Sequence, residues 1–484
     1  MHLNQAFADK VVASYKRGDT VWVHDYHLLL VPNMIRKQIP DAKIGFFLHT
    51  AFPSSEVFRC LAKRRELLEG MLGANLVAFQ IDEYAQHFLQ TCSRILTVET
   101  TIEGVQLENH FVNVTSRPIG INLAATQAAR RDEEVKEWID IIQAKYRGKW
   151  LIVANDKLDN IRGVRNKLLS FELLLNKHPE LREKIVMIQV AISTNENSEL
   201  LTTISDIVSR IDSVHSTLAH QPLVLLKQDI AFPQYLALLT VADALMITSL
   251  RDGMDLNAHE FIICQDGQFC EDKRHGPLIL SEFTGSAAVF GGFQLSVNPW
   301  DFQQQAAAIK TALEMSAAEK ERRWSELNTR VVRETGGRWA QDLTERLDKV
   351  YAAQNTRDSS SVPRLAVQKV TEAYKNAGRR VFILDYEGTL APHRTQAGIP
   401  LSSPQRVLDA LNELTVDSKN DVYVMSGRTP RELESHFRTV PQLGLIAENG
   451  CFMRESGSEK RSWTSFPDTE AVGAALSTVK GILS

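Results

Sequence analysis

The residue types best suited to chemistry stand together in one short stretch, residues 248–260 (TSLRDGMDLNAHE). The stretch follows a predicted helix and a buried strand, and its turn at Gly253 opens a second helix. Such a loop can bind a diphosphate, because free N–H groups and the positive end of the helix dipole both face the anion. Asp252 and Glu260 flank the turn and suit hydroxyl groups, one on a sugar and one on a ribose. A capped helix start with two exposed acids explains the same pattern about as well.

Further candidate side chains stand near the ends of other predicted strands. Asp25 and His49 each end a short apolar strand, and ligands of parallel sheets bind at such ends. Lys157 and Arg162, five residues apart in the loop after the strand that starts at Trp150, can clamp a diphosphate. The alternatives remain open: a helix cap for Asp25, core packing for His49 and solvated surface charges for the two cations.

The elements that must position these side chains alternate between strand and helix along the chain, which predicts βαβ units and a mostly parallel α/β architecture. A chain of 484 residues is expected to hold two or three domains. The polar, Ser-rich segment 353–363 ends in Pro363 and predicts a flexible linker. The expected domains are residues 1–125, 126–352 and 364–484.

Composition excludes several classes of protein. A net charge of −4 gives no basic surface for nucleic acid. No apolar run reaches membrane-spanning length, and the start of the chain lacks the pattern of a signal peptide. The cysteines show no CxxC spacing, so we expect neither a metal site nor a disulfide framework, and a cytoplasmic location. They are Cys60, Cys92, Cys264, Cys270 and Cys451.

Five long motifs follow one another along residues 1–350: HDYHLLLVP (24–32), IGFFLHTAFPSSEVFR (44–59), LVAFQIDEYAQHFLQTCSRIL (76–96), SLRDGMDLNAHE (249–260) and LILSEFTGSAAVF (278–290). Together they resemble the trehalose-6-phosphate synthase family, glycosyltransferase family 20. The tail from residue 364 resembles the start of trehalose-6-phosphate phosphatase, a haloacid-dehalogenase-like domain. KLDNIRG and LDYEGTL are most similar to the fungal regulatory subunits of the trehalose synthase/phosphatase complex.

The resemblance implies a GT-B fold, in which two Rossmann-like domains enclose the active site. It also implies UDP-glucose as donor, glucose 6-phosphate as acceptor and no metal ion or other cofactor. Asp25 and His49 match positions in the acceptor and donor-sugar pocket, Asp252 matches the sugar-hydroxyl carboxylate, and Glu260 matches the ribose carboxylate. The other positions carried over bind the diphosphate: Lys157, Arg162, Gly253, Met254, Leu256 and Asn257.

Several residues depart from the family pattern. The family motif Arg-Leu-Asp-Tyr-x-Lys-Gly is Lys157 to Gly163 here, with the two cation types exchanged, and Arg and Lys are not interchangeable on phosphate. The usual Asn after Gly-Met is Asp255, which puts a negative charge beside the diphosphate. Asn195 lies in the turn where the family has an Arg that holds the acceptor phosphate.

The chain begins just upstream of the first motif, so the family's first strands and Gly-rich loop are not in it. The first sheet is therefore expected to leave apolar side chains poorly covered, and the protein to aggregate without a synthase partner. The side chains in question are Val21, Val23, Phe46 and Leu48.

The phosphatase-like tail keeps only part of its family's chemistry. Asp385 matches the attacking Asp, whereas the second Asp, the general acid and base, is replaced by Glu387, one methylene longer. Ser426 matches the phosphate-binding hydroxyl. Asp468 stands alone where paired magnesium ligands are expected, so magnesium would bind only if the domain were complete.

The sequence therefore favours a regulatory or non-catalytic subunit that partners synthase and phosphatase subunits. UDP-glucose and glucose 6-phosphate are possible ligands, and neither nucleic acid nor a membrane is an expected partner. One alternative is an active retaining glycosyltransferase that makes trehalose 6-phosphate by front-face displacement. Another is a magnesium-dependent sugar-phosphate phosphatase.

Overall fold

The computed structural model describes residues 1–107, 110–193, 198–360, 367–387, 389–390, 404–457 and 462–466. Contacts divide the chain into two compact units, Met1–Pro363 and Arg364–Ser484. Asn195 and Asp468, two positions singled out from the sequence, lie outside the described residues.

The first sheet of the first unit has six strands in the order β1-β2-β3-β6-β5-β4. Strands β1, β2, β3 and β6 are parallel, and β5 and β4 add an antiparallel hairpin at one edge. The register places His24 beside Phe47, so the residues that follow β1 and β2 meet at one edge. The strands are β1 Thr20–His24, β2 Lys43–Phe47, β3 Leu76–Phe79, β4 Glu99–Thr101, β5 Gly104–Gln106 and β6 Phe111–Ser116.

The second sheet is parallel throughout, in the order β12-β11-β10-β7-β8-β9. Strands β7 and β10 are neighbours, so the loops that follow them lie side by side at the carboxyl end of the sheet. β7 continues to Leu158, further than the sequence indicated, so Lys157 belongs to the strand and not to the loop. The strands are β7 Trp150–Leu158, β8 Ile185–Ser193, β9 Leu223–Leu226, β10 Ala244–Ile247, β11 Leu278–Ser281 and β12 Leu295–Val297.

Helices connect and cover these strands. Their starts follow local capping chemistry: the Asp301 side chain caps α13 and the Ser316 side chain caps α14. The helices are α1 His2–Ser14, α2 Val31–Gln38, α3 Ser55–Phe58, α4 Arg64–Met71, α5 Asp82–Leu96, α6 Leu123–Ala129, α7 Glu133–Lys145, α8 Val164–Lys177, α9 Ser198–His215, α10 Phe232–Val241, α11 Leu256–Cys264, α12 Gly285–Phe290, α13 Phe302–Glu314, α14 Ala317–Arg333 and α15 Gly336–Ser360.

The long helix α15 follows the second sheet in the chain but packs on the first. Leu343 is buried against Phe47 and Ala78, and the Asn75 amide donates to Gln354 Oε1 at 2.7 Å. The helix runs on through residues 353–360, the first part of the segment expected to be a flexible linker. A polar, Ser-rich composition is compatible with an exposed helix as well as with a linker, and here the backbone is helical.

One expectation about the first sheet is corrected. Val23, Phe46 and Leu48 are at most 4% exposed, and Val21 is partly buried, so these side chains are not poorly covered. They share a core with residues of α1 and α2. In α1 the buried positions are Asn4 and Ala8, while Phe7 is 47% exposed. Asn4 is buried because its side chain bonds the backbone at His27 and Leu30.

The second unit has its own sheet, in the order β13-β14-β15-β16-β17, with the first three strands parallel. Its core includes Val422, Val424 and Leu445. The elements are α16 Val367–Asn376, β13 Arg380–Asp385, α17 Pro404–Val416, β14 Asn420–Met425, α18 Pro430–His436, β15 Gly444–Ala447, β16 Phe452–Arg454 and β17 Thr464–Ser465. None of the helices described in either unit has the length and apolar character of a membrane span.

Candidate functional site

The loop after β10 is held between the two sheets of the first unit. A Cβ atom at Gly253 would lie 1.8 Å from the carbonyl oxygen of His49, so only glycine fits at this contact. The Tyr84 hydroxyl donates to the Asp252 carbonyl at 2.9 Å from α5 of the other half. A Cβ atom at Gly285 would lie 1.9 Å from the Gly253 carbonyl. The structure thus brings Gly253 directly against the backbone of His49.

A single cation in this loop region is shared by two carboxylates. Arg162 Nη1 forms an ion pair with Asp252 Oδ2 and lies 3.4 Å from Asp255 Oδ2. Arg162 follows β7 and the two acids follow β10, so the adjacency of these strands creates the cluster. Lys157, the second expected cation, is exposed on β7 and makes no ion pair within the described residues. Of the two expected cations, Arg162 is therefore the one that pairs with these carboxylates among the described residues.

Asp255 fills the start of helix α11. Its Oδ1 accepts the backbone N–H of Asn257 at 3.0 Å, which is the N-cap bond of the helix. Its own N–H donates to Ser286 Oγ at 3.1 Å. Burial raises the pKa of Asp255 to about 7, and the charge of Asp252 adds to the effect, while Arg162 opposes it. The backbone N–H of Asn257, which was expected to face a diphosphate, is therefore already bonded to the carboxylate of Asp255.

The remaining loop residues line the same turn. Leu256 is the first residue of α11, and the Met254 sulfur lies 3.0 Å from Ser286 Oγ. His259 is 1% exposed, its Nδ1 lies 3.3 Å from the Asp255 carbonyl, and burial lowers its pKa to about 4. His259 is therefore neutral at physiological pH and adds no positive charge to the cluster.

Glu260 is held by a tyrosine that was not selected from the sequence. The Tyr235 hydroxyl donates to Glu260 Oε2 at 2.6 Å and lies 2.8 Å from Asn257 Oδ1. Burial raises the pKa of Glu260, and the hydrogen bond from Tyr235 opposes this shift. Tyr235 lies on α10 and reaches α11 through packing of the two helices, which no local pattern reveals.

Asp25 and His49 also lie together, as the strand order requires. Asp25 Oδ1 accepts the backbone N–H of His49 at 3.3 Å, and Asp25 adopts a left-handed backbone with φ of 69°. His49 Nε2 lies 3.2 Å from Nδ1 of His24, and partial burial and this second imidazole lower the pKa of His49. Trp339 of α15 packs over both rings. His24 and Trp339 are the site neighbours that sequence reasoning did not identify.

The second unit brings Glu387 and Ser426 together at the ends of β13 and β14. Ser426 Oγ donates to Glu387 Oε2 at 2.8 Å, and Nε of Arg428 donates to Oε1 at 2.6 Å. Arg428 is a further residue that was not selected from the sequence. Asp385 is exposed and accepts only from Thr389 Oγ1, at 3.2 Å, among the described residues.

The described residues of this second unit do not fit a magnesium ion. Glu387 is bound to a guanidinium, and no cluster of three or more His, Cys, Asp or Glu side chains that could hold a metal is found in the described part of the chain. Magnesium requires several oxygen ligands, usually from carboxylates that are free of a competing cation. We therefore derive no step through this ion.

Two α/β halves with parallel strands, joined so that their strand-end loops meet across a cleft and clasped by a final helix, define a GT-B glycosyltransferase fold. The family model for glycosyltransferase family 20 matches residues 1–349, and the model for trehalose-phosphatase matches residues 383–480. The chain belongs to glycosyltransferase family 20 and carries a trehalose-phosphatase, haloacid-dehalogenase-like domain after it.

Similar proteins from fungi are named for both synthases and regulators. The chain is 45% identical over 455 residues to a 106 kDa subunit named for UDP-forming alpha,alpha-trehalose-phosphate synthase in Schizosaccharomyces pombe, covering 93% of this chain and 47% of that protein. It is 42% identical over 459 residues to the trehalose synthase complex regulatory subunit TPS3 of Saccharomyces cerevisiae, covering 94% and 41%. The chain thus spans less than half the length of both relatives.

A solved structure supports the same assignment. The N-terminal domain of Candida albicans trehalose-6-phosphate phosphatase is 41% identical, with a TM-score of 0.69 over 72% of this chain and 73% of that one. A protein named for the phosphatase thus carries this fold in its N-terminal domain, so the fold alone does not decide activity.

Proposed function

We propose that this chain is a regulatory, non-catalytic subunit of a trehalose-6-phosphate synthase/phosphatase complex in trehalose biosynthesis. The observation that carries the proposal is that Asp255 fills the diphosphate cradle, the name used here for the N–H groups at the start of α11 together with the Arg162 guanidinium. Asp255 bonds the Asn257 N–H and lies 3.4 Å from Arg162, which also pairs with Asp252. The relative TPS3, 42% identical, is itself named a regulatory subunit.

The filled cradle opposes a nucleotide sugar for an electrostatic reason. A diphosphate must share Arg162 with two carboxylates of the chain, and Asp255 is 3% exposed and so cannot turn into solvent. Above pH about 7, where Asp255 carries its charge, like charges about 4 Å apart repel by roughly 4 kcal/mol at an effective dielectric constant near 20. We therefore expect weak UDP-glucose binding and, with Asn195 in place of the cation for the acceptor phosphate, weak glucose 6-phosphate binding.

The proposal extends to partners, location and domain division. The partners are synthase and phosphatase subunits, and the location is the cytoplasm, in keeping with five cysteines in the thiol form. The glycosyltransferase-like body comprises residues 1–125 and 126–352, and the phosphatase-like domain begins at 364. Co-purification of the full chain with a synthase subunit tests the partnership. A chain that elutes alone from an equimolar mixture contradicts it.

Calorimetric titration of the full chain with UDP-glucose, then with glucose 6-phosphate, tests the filled cradle. Asp255→Asn should bind UDP-glucose at least about tenfold more tightly than the wild type, because the change keeps the cap and removes the charge. Asp301→Asn is the matched control, since Asp301 caps α13 through Gln304 and lies on a different helix. Equal affinities of wild type and Asp255→Asn above pH about 7, where Asp255 is charged, would contradict the repulsion of the diphosphate by this charge.

The second candidate is an active retaining glycosyltransferase that makes trehalose 6-phosphate. The gathering of His49, Asp25 and Gly253 at one contact supports it. In that case Asp252 and His49 hold the donor sugar, Arg162 and Lys157 stabilise the departing UDP, and no metal ion takes part. A coupled UDP-release assay decides between the two: turnover that disappears in Asp252→Ala overturns the regulatory proposal.

A further inference from the structure

The second unit contains a carboxylate bound on both of its oxygen atoms. Glu387 follows β13 and Ser426 follows β14, and these parallel neighbours pair Asp385 with Met425 in register. Glu387 Oε2 accepts from Ser426 Oγ at 2.8 Å, and Oε1 accepts from Nε of Arg428 at 2.6 Å. The carboxylate therefore bridges a hydroxyl and a guanidinium that come from the other strand end.

Both donors have contacts besides Glu387. Ser426 is 2% exposed, and its Oγ also accepts the backbone N–H of Arg428 at 3.1 Å. The Arg428 guanidinium lies over the Tyr386 ring, 5.3 Å from its centroid. The fold therefore holds Ser426 itself and gives the Arg428 side chain a second contact.

Glu387 remains charged at physiological pH. Its burial by itself would raise its pKa, but the hydrogen bonds from Arg428 and Ser426 outweigh this effect and lower the pKa below its usual value. Protonation therefore does not release the carboxylate near neutral pH. Removing it requires displacement by another anion or by substitution.

A hydroxyl and a guanidinium at a strand end are the donors that bind the oxygen atoms of phosphate. A carboxylate presents two oxygens in a plane and can take the place of two phosphate oxygens. We propose that Glu387 is a built-in anion that fills a phosphate subsite formed by Ser426 and Arg428, so that the subsite accepts inorganic phosphate only after the carboxylate is removed. This inference goes beyond the proposed function, because it concerns the second unit and stands on contacts there.

The length of the side chain explains why Glu, and not Asp, fills the subsite. A shorter acid at residue 387 would withdraw its carboxylate by one carbon–carbon bond, about 1.5 Å, and lose contacts that are now 2.6 and 2.8 Å long. Asp385 does not compete for the donors, since its carboxylate is exposed and accepts from Thr389. Residue 387 therefore determines whether this subsite accepts an external anion.

The test is calorimetric titration of the full chain with inorganic phosphate at neutral pH. Glu387→Ala should bind phosphate at least about tenfold more tightly than the wild type, because the donors become free and one negative charge is removed. Glu413→Ala, an exposed acid on α17 of the same unit, is the control for loss of charge and should behave as the wild type. Adding Arg428→Ala to Glu387→Ala should abolish the gained binding.

Circular dichroism checks that each variant is folded, and Glu387→Asp, which withdraws the carboxylate from both donors, replaces Glu387→Ala if that variant unfolds. The inference is overturned if the folded variant binds phosphate no better than the wild type. It is also overturned if the gained binding survives the loss of Arg428, since phosphate would then be bound elsewhere, for example at Arg162. UDP-glucose binding by the first unit is measured separately, so a failure there leaves this result unaffected.

Discussion

A fully buried acid at residue 255 makes the stability of the first unit depend on pH. The pKa of Asp255 is about 7 in the fold against an ordinary value of 3.8, so the fold prefers the protonated form. Between pH 3.8 and about 7 the unfolded chain loses this proton and the folded chain keeps it. Stability from this group is therefore complete below pH 3.8 and is lost as the pH rises to about 7.

The first prediction is that Asp255→Asn raises the melting temperature more at pH 8 than at pH 5, by an amount worth a few kcal/mol at the higher pH. The amide keeps the N-cap and has no charge to bury near Asp252 and Asp156. Differential scanning calorimetry of both proteins across this range measures the difference. Asp301→Asn, at an exposed cap, should show no such trend, and a pH-independent gain in Asp255→Asn would contradict the argument.

The second prediction concerns Tyr235. Tyr235→Phe should destabilise the first unit by about 1–3 kcal/mol, because Glu260 loses a 2.6 Å hydrogen bond while remaining partly buried. Urea unfolding followed by tryptophan fluorescence gives the free energy. Tyr146→Phe is the comparison, since no hydrogen bond of its hydroxyl is found among the described residues. Equal effects of the two changes would show that the hydroxyl of Tyr235 contributes nothing.

At the scale of elements, α15 is the part of the chain that ties the second sheet to the first. Leu343 is 2% exposed and packs against Phe47 and Ala78, and Lys43 forms an ion pair with Asp348 at 2.6 Å. The same helix carries Trp339 over the imidazole rings of His24 and His49. The strand-end residues of the first sheet therefore depend on a helix that lies about 300 residues later in the chain.

The third prediction is that Leu343→Ala costs about 2–5 kcal/mol of unfolding free energy, through lost burial and the cavity that remains. Chemical denaturation measures the cost. Lys349→Ala on the exposed side of the same helix keeps the helix propensity similar and should change the free energy by less than about 0.5 kcal/mol. If both variants unfold alike, the packing of α15 on the first sheet carries little of the stability.

The sequence predicted elements well where the signal is local. The hydrophobic pattern predicts apolar strands such as β10, which is buried at every position. Capping residues predict where helices such as α14 begin, to within a few residues. The hairpin β4–β5 was missed because its strands have three residues each, too few for an alternating pattern. The helical backbone of residues 353–360 was missed because Ser-rich polar sequence favours a linker.

The candidate site was predictable only in part. Strand order placed Asp25 near His49, and the loop after β10 near the loop after β7, because carboxyl ends of parallel strands share an edge. The partners of single side chains were not predictable. Arg162 meets an acid 93 residues away, and Glu387 meets Arg428 41 residues away, through rotamers and packing that no spacing reveals.

At the scale of the whole molecule, the described residues of the first unit form several buried hydrophobic clusters, and those of the second unit form a separate cluster that includes Val424. The fourth prediction is that calorimetry resolves two unfolding transitions. Leu343→Ala should lower the melting temperature of one transition and Val424→Ala, in the core of the second unit, that of the other. A single transition shifted by both changes would show that the units unfold together.

The buried acid at the start of α11 also bears on how such a protein can change over generations. Asp and Asn codons differ by one base, and so do Glu and Asp codons. If Asp255 and Glu387 fill anion sites as proposed, each site is a single mutation from the residue that the family resemblance implies. The backbone N–H of Asn257, the Ser426 hydroxyl and the guanidinium groups of Arg162 and Arg428 are in position. Under the same proposals, a lineage that carries this chain has a short mutational path to phosphate binding that needs no new scaffold.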